Sequence, residues 1–248
     1  MADGDRARPG FHLGWGLALG LAMTLPWVAS LFYFVWWSGH PVSRLIYGAT
    51  KVFTLVWPLA ALWWLRGKKP WMEIRFPDAG RLWRSAPLGV ATACVVMGLM
   101  VALLKGTPLG DMARAEAPQL REQIAEFGMI EHYILFGVFL AVLHSAVEEY
   151  YWRWFVFGNL RRFWPGWRAH AAAAVAFSAH HYVVTSQFFS APLALFLGTA
   201  VGVGGLMWSV MYARQGTLAG AWISHLLIDA GILAVGHGLV HESAWIQG

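Results

Sequence analysis

The chain has 248 residues, 58% of them hydrophobic and only 12% charged, with a formal net charge of +5. That composition excludes an ordinary soluble domain and points to a polytopic membrane protein. A single cysteine, Cys94, excludes a disulfide framework and a CxxC metal or redox centre. No polar stretch is long enough to bury a core of its own.

In chain order, residues 1–10 precede an apolar run too long for a signal peptide and without a small-residue cleavage site, so residues 11–36 are expected to be a retained first span. Windows of about 20 apolar residues place further spans at 45–65, 86–104, 132–158, 169–185, 191–213 and 217–236. The expected fold is all-α, a transmembrane helical bundle of about seven spans. Residues 66–85 alternate basic and bulky apolar groups and are expected to lie partly in the membrane interface. The polar stretch within 105–131 reads as a short surface helix. Trp36, Trp37, Trp63, Trp64, Trp164 and Trp167 fall at predicted span ends, as an interfacial aromatic belt does. Two parts follow: residues 1–130, transmembrane helices with interfacial loops, and residues 131–240, a core that holds the polar groups described next.

Orientation follows from the basic residues. With the N-terminus inside, the inner regions hold Arg6, Arg8, Arg66, Lys68, Lys69, Arg75, Arg81, Arg84, Arg161, Arg162, Arg168 and Arg214. The outer regions hold Arg44, Lys51, Lys105, Arg114 and Arg121. The positive-inside rule predicts a cytoplasmic N-terminus and, for an odd number of spans, an external C-terminus. This asymmetry accounts for the positive charge without a nucleic-acid surface, and no internal repeat suggests a transporter of inverted halves.

Of 13 acidic residues, only Glu148, Glu149 and Asp229 fall inside long apolar segments, as do His144, His180, His181 and His225. A charge at the centre of a bilayer costs at least ~2.5–3.5 kcal/mol on insertion scales, so it persists there for a purpose. At 1.5 Å per residue, Glu149 lies about 14 Å from the inner end of its span, His181 about 18 Å, and His225 and Asp229 about 12 and 18 Å. Three helices thus bring polar groups to one level. Glu149 and Arg153, and His225 and Asp229, are each four apart and share a helix face. Any one pair has a structural reading, as a self-neutralising ion pair or a satisfied inter-helix histidine; the combination is what points to a site. His144, four residues before Glu148, makes the nearest approach to a zinc motif in the chain; it is read as structural in preference to a supporting place behind the site.

Such a set supports hydrolysis. A carboxylate among apolar groups is a better proton acceptor and can take a proton from water. A histidine can share that task, another histidine with a nearby acid can stabilise an oxyanion, and Arg153 can hold one acid ionised. Signatures of other intramembrane proteases are absent: there is no HExxH, no GxSxG and no GxGD.

At these residues the chain resembles the CAAX protease and bacteriocin-processing (CPBP) family, which includes the Ras-converting prenyl endopeptidases. Its three motifs, EExxxR, FxxxH and HxxxN/D, read here Glu148-Glu149-Tyr-Tyr-Trp-Arg153, Phe177-Ser-Ala-His-His181 and His225-Leu-Leu-Ile-Asp229. The resemblance covers roughly residues 132–236. It implies an intramembrane endopeptidase in which Glu148 is the general base, His181 helps activate water, Glu149 and Arg153 orient the site, and His225 and Asp229 stabilise the oxyanion. His180 directly precedes His181, and the FxxxH spacing selects His181. Asp229 stands where prenyl proteases usually carry asparagine; an ionised aspartate repels an oxyanion, so it is expected to act protonated or to orient His225.

The resemblance leaves a metal-free glutamate mechanism and a zinc or other divalent-metal mechanism open, and the metal-free form, requiring no cofactor, is preferred. The expected partners are the lipid bilayer and a membrane-anchored protein or peptide cleaved near its C-terminus. Small size, the lack of a eukaryotic targeting signal and Ala/Gly/Arg/Trp-rich usage suggest a bacterial plasma-membrane protein. The alternative is a non-proteolytic membrane binding protein of the same fold, such as a bacteriocin self-immunity factor or scaffold. A proton-coupled carrier is a third possibility.

Overall fold

The computed structural model describes residues 13–66, 79–126 and 128–241, and all regular structure among them is helical. We number the helices α1 (Leu13–Trp36), α2 (Pro41–Arg66), α3 (Ala79–Gly106), α4 (Pro108–Ala115), α5 (Ala117–Glu126), α6 (Tyr133–Phe163), α7 (Trp167–Phe188), α8 (Ala191–Gln215) and α9 (Ala219–Val240). The breaks have local causes. Gly39, Gly166 and Gly216 adopt positive φ between consecutive long helices, where a residue without Cβ is favoured. Extended Thr107 precedes Pro108 at the start of α4, a place that needs no backbone donor. Glu116 caps the start of α8, accepting from the Ser190 backbone N–H at 2.9 Å and from its hydroxyl.

Among the described residues, six helices, α1, α2, α3, α6, α8 and α9, are long and apolar enough to cross a membrane. With α7 they give the seven expected segments, each within a few residues of its predicted place except that α3 begins earlier, at Ala79. The arginines Arg81 and Arg84 therefore sit on its first turns. α7 is the least apolar, because Arg168, His170, His180 and His181 lie along it; it packs against α1, α6 and α8, so those neighbours partly cover its three histidines, while Arg168 on its first turn is exposed. The surface helix expected within 105–131 is two helices, α4 and α5. Residues 1–12 and 67–78, which include the first basic cluster and most of the expected interfacial loop, lie outside the described residues.

Large apolar side chains face outward along the bundle, among them Leu17, Leu45, Val52, Val95, Leu135, Val175 and Val203, as a lipid-facing surface requires. The six tryptophans assigned to the belt are exposed. The interior is aromatic: Tyr151, Trp152, Phe155 and Phe157 of α6 meet Trp15 and Leu19 of α1, Phe177 of α7 and Trp208 of α8. Lipid supplies no hydrophobic drive between helices, so close packing by small residues holds them together. At α8 this is pronounced: a Cβ on Gly198 would run into the Tyr182 ring, and one on Gly205 would lie 2.8 Å from Phe177.

Helix α6 is irregular where it matters most. Leu140–His144 and Glu149–Phe157 are π-helical, and one α turn, Ser145–Glu148, separates them. π turns bond i to i+5 and occur mostly at functional sites. The helix therefore widens from Glu149 onward. Trp222 of α9 donates its indole N–H to the Val142 carbonyl and the Ser145 hydroxyl, 3.2 Å from each, and so ties α9 to the irregular stretch.

Candidate active site

Glu148 stands at the centre of α6 and is buried. One carboxylate oxygen lies 3.3 Å from His144 Nε2 and 3.6 Å from His180 Nε2; the other lies 3.6 Å from His225 Nε2. Three ring nitrogens from α6, α7 and α9 therefore surround one carboxylate. That arrangement can hold a water molecule and accept its proton.

The neighbouring Glu149 faces a different set. Its Oε1 lies 2.8 Å from His225 Nδ1 and 3.1 Å from Arg153 Nη1. A carboxylate can only accept, so His225 donates from Nδ1–H and presents Nε2 to Glu148 and to Asp229 Oδ2, each at 3.6 Å. Glu149 thus orients His225, a task the sequence reading offered to Asp229. Glu149 and Arg153 are almost wholly buried, with side chains 1% and 2% exposed. The guanidinium carbon sits 4.3 Å from the ring centre of Phe177 and 4.9 Å from that of Trp208, a pair of cation–π contacts that offsets part of its desolvation. Trp208 also stacks on His225, with centroids 3.9 Å apart. Asp229 is the most open of the three acids, at 23%.

On α7, His181 donates from Nδ1–H to the Phe177 carbonyl at 2.9 Å, which leaves Nε2 as a lone-pair donor. His180 stacks parallel to Trp152 and contacts His181, ring centres 3.9 Å apart. One ligand atom each from Glu148, His180 and His181 lie within 4.8 Å of one another. This is a donor set that fits a divalent cation such as zinc.

All six residues singled out from the sequence, Glu148, Glu149, Arg153, His181, His225 and Asp229, converge here. Two more belong beside them. His144 was read as structural in preference to a supporting role, and it is the nearest histidine to Glu148; its i, i+4 spacing was the visible sign. His180 also faces Glu148 directly, so the α7 contribution is a histidine pair.

Residues 130–231 match the family model described as type II CAAX prenyl endopeptidase Rce1-like. This segment is an Rce1-like domain. It contains α6, α7, α8 and the first half of α9, and with them every residue of the site. Residues 130–231 are thus similar to a family of membrane endopeptidases, and the long apolar helices mark the chain as an integral membrane protein. No curated protein and no solved structure matches the chain. The Rce1-like domain spans less than half of the sequence, and α1 to α5 lie outside it.

Proposed function

We propose that the chain is an intramembrane endopeptidase that hydrolyses a peptide bond near the C-terminus of a membrane-associated protein or peptide, with Glu148 as general base. The observation that supports this most is the placement of Glu148 at the middle of α6 among His144, His180 and His225. Glu148 takes a proton from water as the oxygen attacks the scissile carbonyl carbon. The histidine pair His180–His181 positions that water. His225, held from behind by Glu149, turns Nε2 to the developing oxyanion, and a proton there donates to it. Glu149 balances the charge, and Arg153 holds Glu149. Collapse of the tetrahedral intermediate breaks the C–N bond, and the proton returns from Glu148 to the leaving amine. The water oxygen ends in the new carboxylate.

Asp229 stands on the Nε2 side of His225, where a neutral carboxyl is a second donor to the oxyanion. Residues 131–240 form the catalytic core in this reading, and residues 1–130 its membrane scaffold. The distribution of basic residues supports a cytoplasmic N-terminus, and the composition supports a bacterial inner membrane.

One observation favours a metal-dependent variant: Glu148, His180 and His181 can hold a cation. A bound zinc would supply a polarised carbonyl and a more acidic water. We prefer the metal-free form because both Glu148 oxygens already face histidine nitrogens that fit proton transfer.

The test is cleavage in proteoliposomes. Substrates come from comparing membrane peptides of cells with and without the gene. Wild type is expected to cut a peptide bond, while Glu148→Gln and His180→Ala, folded, lose at least about a hundredfold in kcat/KM. Chelator treatment and metal analysis of the purified protein separate the two mechanisms. A folded wild type that cuts none of these peptides refutes the reading and leaves a binding protein.

A further inference from the structure

The turn between α8 and α9 meets the start of α3 in a cleft of about 420 Å³, lined by Arg81, Arg84 and Ser85 of α3 and by Arg214, Gln215 and Gly216. None of these residues takes part in the reaction above. Glycines press the walls together: a Cβ on Gly89 of α3 would lie 2.6 Å from the Gly220 carbonyl oxygen of α9, and one on Gly220 would run into the Gln215 side chain. Gln215 in turn donates from Nε2 to the Ser85 carbonyl at 3.4 Å. A Cβ on Gly216 would stand 3.9 Å from Arg81 Nη1, so that guanidinium lies against the turn. Two arginines of α3 and one of α8 thus share a single cleft.

Guanidinium groups gathered around one cleft repel each other unless an anion joins them. Arg84 and Arg214 are exposed and form no ion pair with a carboxylate among the described residues. Neither α3 nor α9, which both begin here, has an acidic residue in its first turn, so the positive ends of their helix dipoles add to the charge. The level is that of the lipid headgroups: the membrane-crossing part of α3 opens at Trp83, α8 ends at Gln215 and α9 starts at Ala219. Trp83 itself is 78% exposed, as a tryptophan at the membrane boundary is. From Arg84 an exposed apolar stripe of Leu88, Val95 and Leu99 continues along α3, on one face by helical spacing. A ligand that fits both features has an anionic head rich in acceptor oxygens and an apolar tail.

We propose that this cleft binds an anionic phospholipid, with its phosphate oxygens on Arg81, Arg84 and Arg214 and an acyl chain along Leu88, Val95 and Leu99. Guanidinium forks match phosphate oxygens two at a time, and basic pockets between membrane helices suit such headgroups. A zwitterionic phospholipid brings its own cation, which the arginines repel. The site stands independently of the endopeptidase reading.

The test is native mass spectrometry of the full chain released from a neutral detergent, after titration with dioleoyl phosphatidylglycerol, dioleoyl phosphatidylcholine or inorganic phosphate. Wild type is expected to hold a phosphatidylglycerol at least about tenfold more tightly than a phosphatidylcholine. Arg84→Gln/Arg214→Gln should bring the two lipids within about twofold of each other, with Tm in lipid-free detergent unchanged as the sign of folding. Arg161→Gln/Arg168→Gln removes the same charge from exposed arginines near the α6–α7 connection and should leave the preference intact. If the cleft double variant does not fold, Arg84→Gln and Arg214→Gln singly carry the test, each with a loss of about threefold or more. Equal binding of both lipids by wild type, or an unchanged preference in the cleft variants, overturns the assignment. An equal loss in the Arg161/Arg168 variant also overturns it and marks diffuse surface charge. Inorganic phosphate that displaces phosphatidylglycerol at equal concentration overturns it in favour of a soluble anion.

Discussion

Removing Glu149 should damage the protein more than removing Arg153, and removing both should damage it less than either alone. The two side chains are 1% and 2% exposed and lie 3.1 Å apart. Breaking a buried pair by deleting one partner costs about 3–5 kcal/mol, because the survivor is left charged and uncompensated. After Arg153→Met, Glu149 still faces His225 Nδ1 at 2.8 Å, so the cost should fall near about 3 kcal/mol. After Glu149→Leu, Arg153 keeps only the faces of Phe177 and Trp208, and His225 loses its acceptor, so the cost should approach about 5 kcal/mol. The double variant Glu149→Leu/Arg153→Met replaces the pair by apolar groups of similar size and should fall within about 2 kcal/mol of wild type. The assay is unfolding in mild detergent at one fixed scan rate, where a loss of about 3 kcal/mol lowers Tm by roughly 6–12 °C. Activity should separate from stability: the double variant folds but is inactive, because nothing orients His225. Two single variants within 1 °C of wild type, or a double variant whose loss equals the sum of the singles, would refute this account of the pair.

Three further outcomes follow from the geometry. His144→Ala should lower kcat/KM by about 10–100-fold with folding intact; His170→Ala, whose ring meets Ser209 at 2.7 Å away from Glu148, should leave turnover unchanged in the same assay. Gly205→Ala should cost about 1–3 kcal/mol by thermal unfolding, since its Cβ would press on Phe177 and the Arg153 guanidinium, whereas Gly20→Ala, with open space around it, should be neutral or stabilising. Asp229→Asn should keep kcat/KM within about tenfold and Asp229→Ala should lose about 100-fold or more; equal losses in the two would show that Asp229 does not donate to the oxyanion.

The spans were legible because a bilayer demands about 20 apolar residues at a stretch and the chain meets that demand openly. Glu148, Glu149 and Asp229 were legible for the opposite reason, as charges that lipid does not tolerate. The choice between His180 and His181 was not, because adjacent residues differ only in azimuth and both face inward here. His144 was visible as an i, i+4 spacing, and the regular α turn Ser145–Glu148 turns that spacing into a contact. Nothing in the sequence marks the widening of α6 from Glu149 onward, and it moves every side chain after Glu149 relative to the α-helical expectation.

The low hydropathy of α7 has a consequence for biosynthesis. A segment carrying Arg168, His170, His180 and His181 gains little by partitioning into lipid alone. It is therefore held in the bilayer by partners made before and after it: α1 and α6 are already present, and α8 emerges next with the glycines that fit Tyr182 and Phe177. Until α8 arrives, α7 is a dependent guest in the membrane. Bulky substitutions at Gly198 or Gly205 should accordingly appear first in the cell as a chain degraded during assembly, with α7 left outside the bilayer, before any defect in turnover can be seen.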